Sequence, residues 1–189
     1  MKDADKYIVK QVVEGDVAAF ATLVDKYQHM AFTLALSIVK RREEAEEVVQ
    51  DAFFKAYRNL VSFEGRSAFS TWLYQIVYRT AVSAGRNKKQ VFVDIDLMEK
   101  GKLAGVDAQA DKSLEDQDKR VLLQNALARL EEDDAFVVIL FYYKELSVDE
   151  IQKITGLSVS NIKVKLHRAR KQLHRQLSVM LKDEFYELK

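Results

Sequence analysis

Residues 145–173 read ELSVDEIQKITGLSVSNIKVKLHRARKQL, and this stretch, Glu145 to Leu173, decides the fold. Ser147 and Glu150 stand at the Ser-x-x-Glu spacing of a capping box, which satisfies orphan amides at a helix start. The helix they open turns Ile151 and Ile154 inward and stops at Gly156, a residue suited to the left-handed conformation of a helix end. Ser158 can cap the next helix. Its apolar stripe is Ile162, Leu166, Ala169, Leu173 and Leu177. The opposite face carries Asn161, Val164, Arg168, Lys171 and Arg175, with Ser160 and His167 beside it and Lys163 on the same side of the first turns. A short helix, a glycine turn and a second helix with a basic outer face form a helix-turn-helix. The second helix is expected to enter the major groove, with side chains near its start on base edges and later ones on phosphates. An ordinary helical hairpin with a solvated basic face is the plainer alternative.

Charge weighs against that alternative. Ile151 to Lys182 contains no Asp or Glu and carries eight Lys and Arg; Gly65 to Val93 also lacks acids and carries Arg66, Arg79, Arg86, Lys88 and Lys89. All 29 acidic residues lie elsewhere, so a net charge of +1 hides two basic windows in an acidic background. Two separated basic surfaces suit a protein that holds a polyanion at two places, and nucleic acid is the expected polyanion.

The rest of the chain is helical in pattern. There is no proline, and only six glycines interrupt 189 residues, which favours long helices. Val12, Val13, Phe20, Leu23, Val24 and Tyr27 recur at helix spacing, and Ala31 to Val39 continues as a buried-looking run. Glu43 to Leu60 is amphipathic, with Ala45, Val49, Ala52, Phe53, Ala56 and Leu60 on one side and Glu43, Glu47, Gln50 and Arg58 on the other. Ser62 to Ser67 reads as a loop, followed by a helix from about Ala68 to Arg86. Residues from roughly Lys88 to Asp118 are acidic and weakly periodic and read as a linker. Four more helices are expected over Arg120–Leu130, Asp134–Tyr143, Val148–Thr155 and Val159–Leu181. The fold class is therefore all-α: two small helical domains joined by a flexible linker, at residues 1–90, 91–117 and 118–189.

The first basic window differs in chemistry from the second. It interleaves Phe69, Trp72, Tyr74, Tyr78 and Phe92 with its cations. Aromatics beside cations suit unstacked bases, since rings offer stacking surfaces and cations neutralise the backbone. Duplex DNA keeps its bases stacked, so this window points to opened DNA or a turned-out base. Trp72, Leu73, Ile76 and Val77 are expected in the core; Phe63 and Phe69 flank the glycine loop.

These residues also carry a resemblance. Gly15-Asp16…Ala19-Phe20…Leu23…Tyr27, Ala45-Glu-Glu-Val-Val-Gln-Asp-Ala-Phe53 and Phe63…Phe69-Ser-Thr-Trp-Leu-Tyr-Gln-Ile76 resemble region 2 of the sigma-70 family, in its small extracytoplasmic-function (group IV) version. Glu145-Leu-Ser…Glu150-Ile…Gly156-Leu-Ser-Val…Leu166-His-Arg-Ala-Arg-Lys-Gln-Leu173 is similar to region 4. The resemblance implies a promoter-recognition subunit of RNA polymerase, with core polymerase, promoter DNA and an anti-sigma factor as partners. It implies −35 binding through Ser160, Asn161, Lys163, Val164, His167, Arg168 and Lys171. It implies −10 reading and melting through Phe63, Arg66, Tyr78, Arg79, Arg86 and Lys88, with the Ser62–Ser67 loop holding a flipped base. It also implies that the third helix grips the polymerase through Glu47, Gln50, Asp51 and Phe54. Phe54 projects among Glu43, Glu47, Gln50 and Arg58, and an aromatic in an acidic patch suits a protein-binding spot; packing against a neighbouring helix is its other reading. Arg79 departs from the family pattern, which has Asn there in Trp-Leu-x-x-Ile-Ala-x-Asn; Arg favours guanine or phosphate. The prolines common after the first helix of region 4 and in its turn are also missing, at Leu130-Glu131 and Leu157-Ser158.

Other classes fit less well. His167 and His174 are seven apart, not at the four-residue spacing of a helical metal pair, and no nucleophile triad or phosphate-cradling glycine loop appears. The acidic pairs Glu46-Glu47 and Asp133-Asp134 read as helix-surface and helix-start charges. No catalytic residue, metal or cofactor is expected. A ligand-controlled regulator would show alternating strands or a phospho-acceptor Asp at its N-terminus, and a pure interaction module would not need two basic windows. With no cysteine, no apolar signal core in MKDADKYIVK and no membrane-length apolar run, the expected location is the cytoplasm, without membrane insertion.

Overall fold

In a computed structural model, the backbone is described for residues 2–89 and 122–187 and the side chains for 4–86 and 122–179. The expected linker and the side chain of Lys88 lie outside the described residues. The helices are α1 (Lys2–Val13), α2 (Ala19–Val39), α3 (Arg42–Arg58), α4 (Phe69–Lys89), α5 (122–128), α6 (Glu132–Val138), α7 (Val148–Thr155) and α8 (Val159–Glu187). A 3-10 turn, Leu60–Ser62, follows α3, and a π-helical stretch, Ile139–Tyr143, continues α6. No strand occurs among the described residues.

α2 is the central helix. Leu23, Leu34, Ala35, Leu36 and Ile38 are buried around its circumference, because α1, α3, α4 and α6 all pack on it. It ends where Lys40 turns left-handed (φ 62°) and its N–H caps the Leu36 carbonyl. α3 begins two residues later, with Glu43 and Glu44 in its first turn and Lys55 and Arg58 in its last, matching the helix dipole at both ends. Ala45, Ala52 and Ala56 are fully buried on α3, and side chains this small let α3 approach α2 and α4 closely. Leu60, expected as the helix end, sits instead in the 3-10 turn and is buried there.

α1 is tied to α2 by a buried clasp. Tyr27 donates its hydroxyl to Asp5 at 2.5 Å, and Lys26 pairs with the other carboxylate oxygen. Burial and the adjacent carboxylate push the Tyr27 hydroxyl pKa far up. Tyr27→Phe removes one donor from a carboxylate that stays buried and is expected to cost about 1–3 kcal/mol in a urea titration. No loss would show the clasp to be idle.

Val13, expected on the buried stripe, is exposed: it closes α1 just where the chain turns away through Gly15 (φ 111°). Trp72 and Ile76 are only half-buried, whereas Leu73, Tyr74 and Val77 are buried. In the C-terminal unit, α6, α7 and α8 enclose Ala135, Phe136, Leu140, Ile151, Ile154, Ile162 and Leu166. This apolar cluster is continuous with that of α1–α4, because α6 packs on α2 and α7 on α4.

Candidate DNA and polymerase interfaces

The helix-turn-helix forms from local signals. Ser147 Oγ accepts the Glu150 N–H at 3.3 Å, and the Glu150 carboxylate accepts the Ser147 N–H at 3.0 Å. Gly156 (φ 74°) closes α7, its N–H donating to the Gln152 carbonyl at 2.8 Å. A Cβ at Gly156 would meet no neighbour, so the requirement for glycine is the backbone conformation itself. Ser158 Oγ then accepts the Asn161 N–H and starts α8.

With Ile162, Leu166 and Ala169 buried, α8 turns Ser160, Asn161, Lys163, Val164, His167, Arg168 and Lys171 outward, so the seven expected −35 residues share an exposed face. Val164 is 62% exposed, an apolar side chain left in water at the centre of that face. Arg168 is different from its neighbours. Its Nε and Nη2 donate to the two oxygens of Asp134 at 2.6 and 2.8 Å, and Asp134 is wholly buried. Lys165 approaches Asp133 at 3.2 Å and Asp134 at 3.5 Å. The reading of Asp133 and Asp134 as simple helix-start charges is therefore incomplete: both lie in the first turn of α6, but Asp134 is the buried anchor of α8. The guanidinium fork of Arg168 is engaged with a carboxylate and is not free for a bidentate base contact.

The expected −10 residues are not gathered at one point. Phe63 is half-buried, packed edge-on to Phe69 (5.8 Å between centroids) and against Trp72 (5.2 Å). Phe69 itself is buried. Gly65 takes φ 68°, and Arg66 is 86% exposed, paired with Glu64 at 2.5 Å. Arg79 and Arg86 are exposed farther along α4. Tyr78, nine residues beyond Phe69, lies about 14 Å down the helix at 1.5 Å per residue. It is turned to the C-terminal unit: its ring packs at a tilt against Phe136, 4.8 Å between centroids, and its hydroxyl donates to Asp133 at 3.0 Å. Burial, then the Asp133 charge, pushes its pKa well up.

On α3, Glu47, Gln50, Asp51 and Phe54 are all exposed, Phe54 by 60%. The Arg58 guanidinium lies over the Phe54 ring, 5.7 Å from its centroid. Tyr57 and Val61 extend this apolar exposure, which the sequence reading missed; Tyr57 follows Phe54 by three residues, the spacing that puts both on one helix face. Among the described residues, no cluster of His, Asp or Glu could hold a metal ion, and no helix is long and apolar enough to cross a membrane.

Comparison with known proteins gives the family. Residues 23–91 match the sigma-70 region 2 family, and residues 120–173 match sigma-70 region 4. The chain is 32% identical over 176 residues to the extracytoplasmic-function (ECF) RNA polymerase sigma factor SigW of Bacillus subtilis, covering 89% of this chain and 94% of that protein. It is 31% identical over 185 residues to the ECF RNA polymerase sigma-E factor of Escherichia coli, covering 94% and 96%. Two solved structures share the fold: CnrH in complex with the cytosolic domain of CnrY (TM-score 0.64, 23% identity, 93% and 98% covered) and the sigma factor RpoE with the anti-sigma factor NepR from Bartonella quintana (0.62, 24%, 85% and 97%). An exposed basic helix-turn-helix face, a region 2 helix set and these relatives place the chain in one family: it belongs to the sigma-70 family, as an RNA polymerase sigma factor of the extracytoplasmic-function type.

Proposed function

We propose a division of labour among three surfaces of this sigma factor. Residues 1–90 hold the polymerase and open the −10 element, 118–189 bind the −35 element, and 91–117 connect them. The observation that carries this reading is the exposed face of α8, where polar, basic and one apolar side chain stand opposite a buried stripe. Ser160, Asn161, Val164 and His167 read base edges; Lys163 and Lys171 neutralise phosphates. Arg168 fixes the pitch of α8 against Asp134 and reaches the DNA backbone only with its remaining N–H groups. Phe63 and Arg66 with the Gly65 loop hold an unstacked base, while Arg79, Arg86 and Lys88 track the strand beyond it. Phe54, with Glu47, Gln50 and Asp51 around it, docks on core polymerase. The chain acts in the cytoplasm, performs no chemistry of its own and is held in check by an anti-sigma factor, as the solved relative RpoE is bound by NepR.

Substitutions on two of the surfaces test the division. Phe54→Ala, or Gln50→Arg, is expected to weaken binding to core polymerase by about 2 kcal/mol or more, as loss of an aromatic anchor does, with helical content unchanged. Lys171→Ala is expected to leave core binding intact and to reduce the salt dependence of promoter binding by about one phosphate contact. If each variant lost both activities equally, the surfaces would not be separate.

A further inference from the structure

The outer face of α8 has an apolar centre. Val164 stands two residues from both Ile162 and Leu166, so at 3.6 residues per turn it points about 160° away from each of these buried side chains. It is 62% exposed and lies outside the apolar cluster that runs through the described residues. A β-branched side chain is a poorer helix former than Ala or Leu, so neither packing nor helix propensity accounts for valine here. Ser160, Asn161 and His167 lie one turn away on either side, and all three are exposed. Two nearby cations are drawn off the face: Lys165 turns to Asp133 and Asp134, and Arg168 gives its fork to Asp134. The middle of the face is left neutral, with Lys163 and Lys171 exposed beside it.

Resting on the promoter-reading function proposed above, we propose that Val164 selects a thymine in the −35 element by closing on its 5-methyl group. In the major groove thymine presents that methyl beside one acceptor, cytosine presents an amino donor, and the purines present N7 with O6 or an amino group. Valine seated on cytosine or a purine would strip water from a polar edge and return no hydrogen bond. The thymine methyl is the one base-edge group that gains from meeting an apolar side chain. Ser160, Asn161 and His167 can satisfy the polar edges of the flanking pairs and close the contact to water.

Uracil is thymine without the 5-methyl group and pairs with adenine in the same way, so it removes this contact alone. Core polymerase carrying this chain would be titrated onto a promoter fragment whose −35 thymines, on both strands, are replaced by uracil one at a time. At one position the wild-type complex should bind the uracil probe about three- to fivefold more weakly, the loss expected for one methyl group left unburied. Val164→Ala keeps a good helix former on an exposed face, and it should bind the thymine and uracil probes at that position within about 1.5-fold of each other. At the other thymines, uracil should act equally on both chains. A wild-type complex indifferent to uracil throughout the −35 block would overturn the proposal. So would a uracil loss that Val164→Ala retains in full. Scrambling the whole −35 block separates the two readings. If that left wild-type affinity unchanged, the proposed −35 function itself would fall; a loss on scrambling without any uracil effect would sink the thymine contact alone.

Discussion

Arg168→Ala is expected to destabilise the α5–α8 unit by about 2–4 kcal/mol, and not to relax the preference for a single −35 base. Asp134 is completely buried, and Arg168 supplies both of its short charge-assisted hydrogen bonds. Among the described residues, Lys165, at 3.5 Å, would remain as its ionic partner. Stranding a buried charge costs about 3–5 kcal/mol; the lower range applies here because Arg168 is 54% exposed and solvent already reaches part of the pair. A urea titration followed by helical circular dichroism reads the loss. Asn161→Ala, which removes an exposed side chain, should leave stability within about 0.5 kcal/mol and change base preference instead. If Arg168→Ala kept full stability and lost discrimination at one base pair, Arg168 would be a reader and its bond to Asp134 incidental.

Replacing residues 62–67 by a Gly/Ser linker is expected to abolish promoter opening while leaving promoter binding largely intact. Unstacking a base costs a few kcal/mol, which captured contacts must offset. The loop offers the half-buried ring of Phe63, the cation of Arg66 and the left-handed Gly65 between them. Permanganate reactivity of thymines near −10 should vanish, and −35-anchored binding measured by footprinting should remain. Phe63 also packs on Phe69 and Trp72, so the swap removes some core contact as well as the base-capture surface. Arg66→Ala separates the two: its side chain is 86% exposed and pairs with the nearby Glu64, so it should slow opening without lowering the denaturation midpoint. Wild-type opening by the loop-swapped chain would leave this segment as packing alone.

What was legible in the sequence was what local chemistry determines. The capping box at Ser147 and Glu150, the left-handed Gly156 and the stripe Ile162-Leu166-Ala169 each act over a few residues, and each stands where the spacing placed it. The outward face of α8 follows from that stripe by geometry alone. What was not legible depends on partners far along the chain. Asp134 meets Arg168 across 34 residues, and Tyr78 meets Asp133 across 55, so neither the buried anchor nor the clamp leaves a periodic trace. The contact of the Tyr78 ring with Phe136 is of the same long-range kind. The π-helical stretch at Ile139–Tyr143 also escaped a 3.6-residue pattern, because it shifts the register and leaves Tyr142 and Tyr143 in solvent. Val13 was misplaced because periodicity does not say where α1 stops being covered.

Reconstituted transcription shows whether this chain directs polymerase to promoters through separate −10 and −35 surfaces. Purified chain would be added to core polymerase on fragments of the genome that encodes it, and transcript starts mapped. Discrete start sites absent with core enzyme alone are expected, and they should be lost when either the −35 or the −10 block upstream of them is scrambled. Transcripts that start at random positions, or that survive scrambling of both blocks, would contradict it.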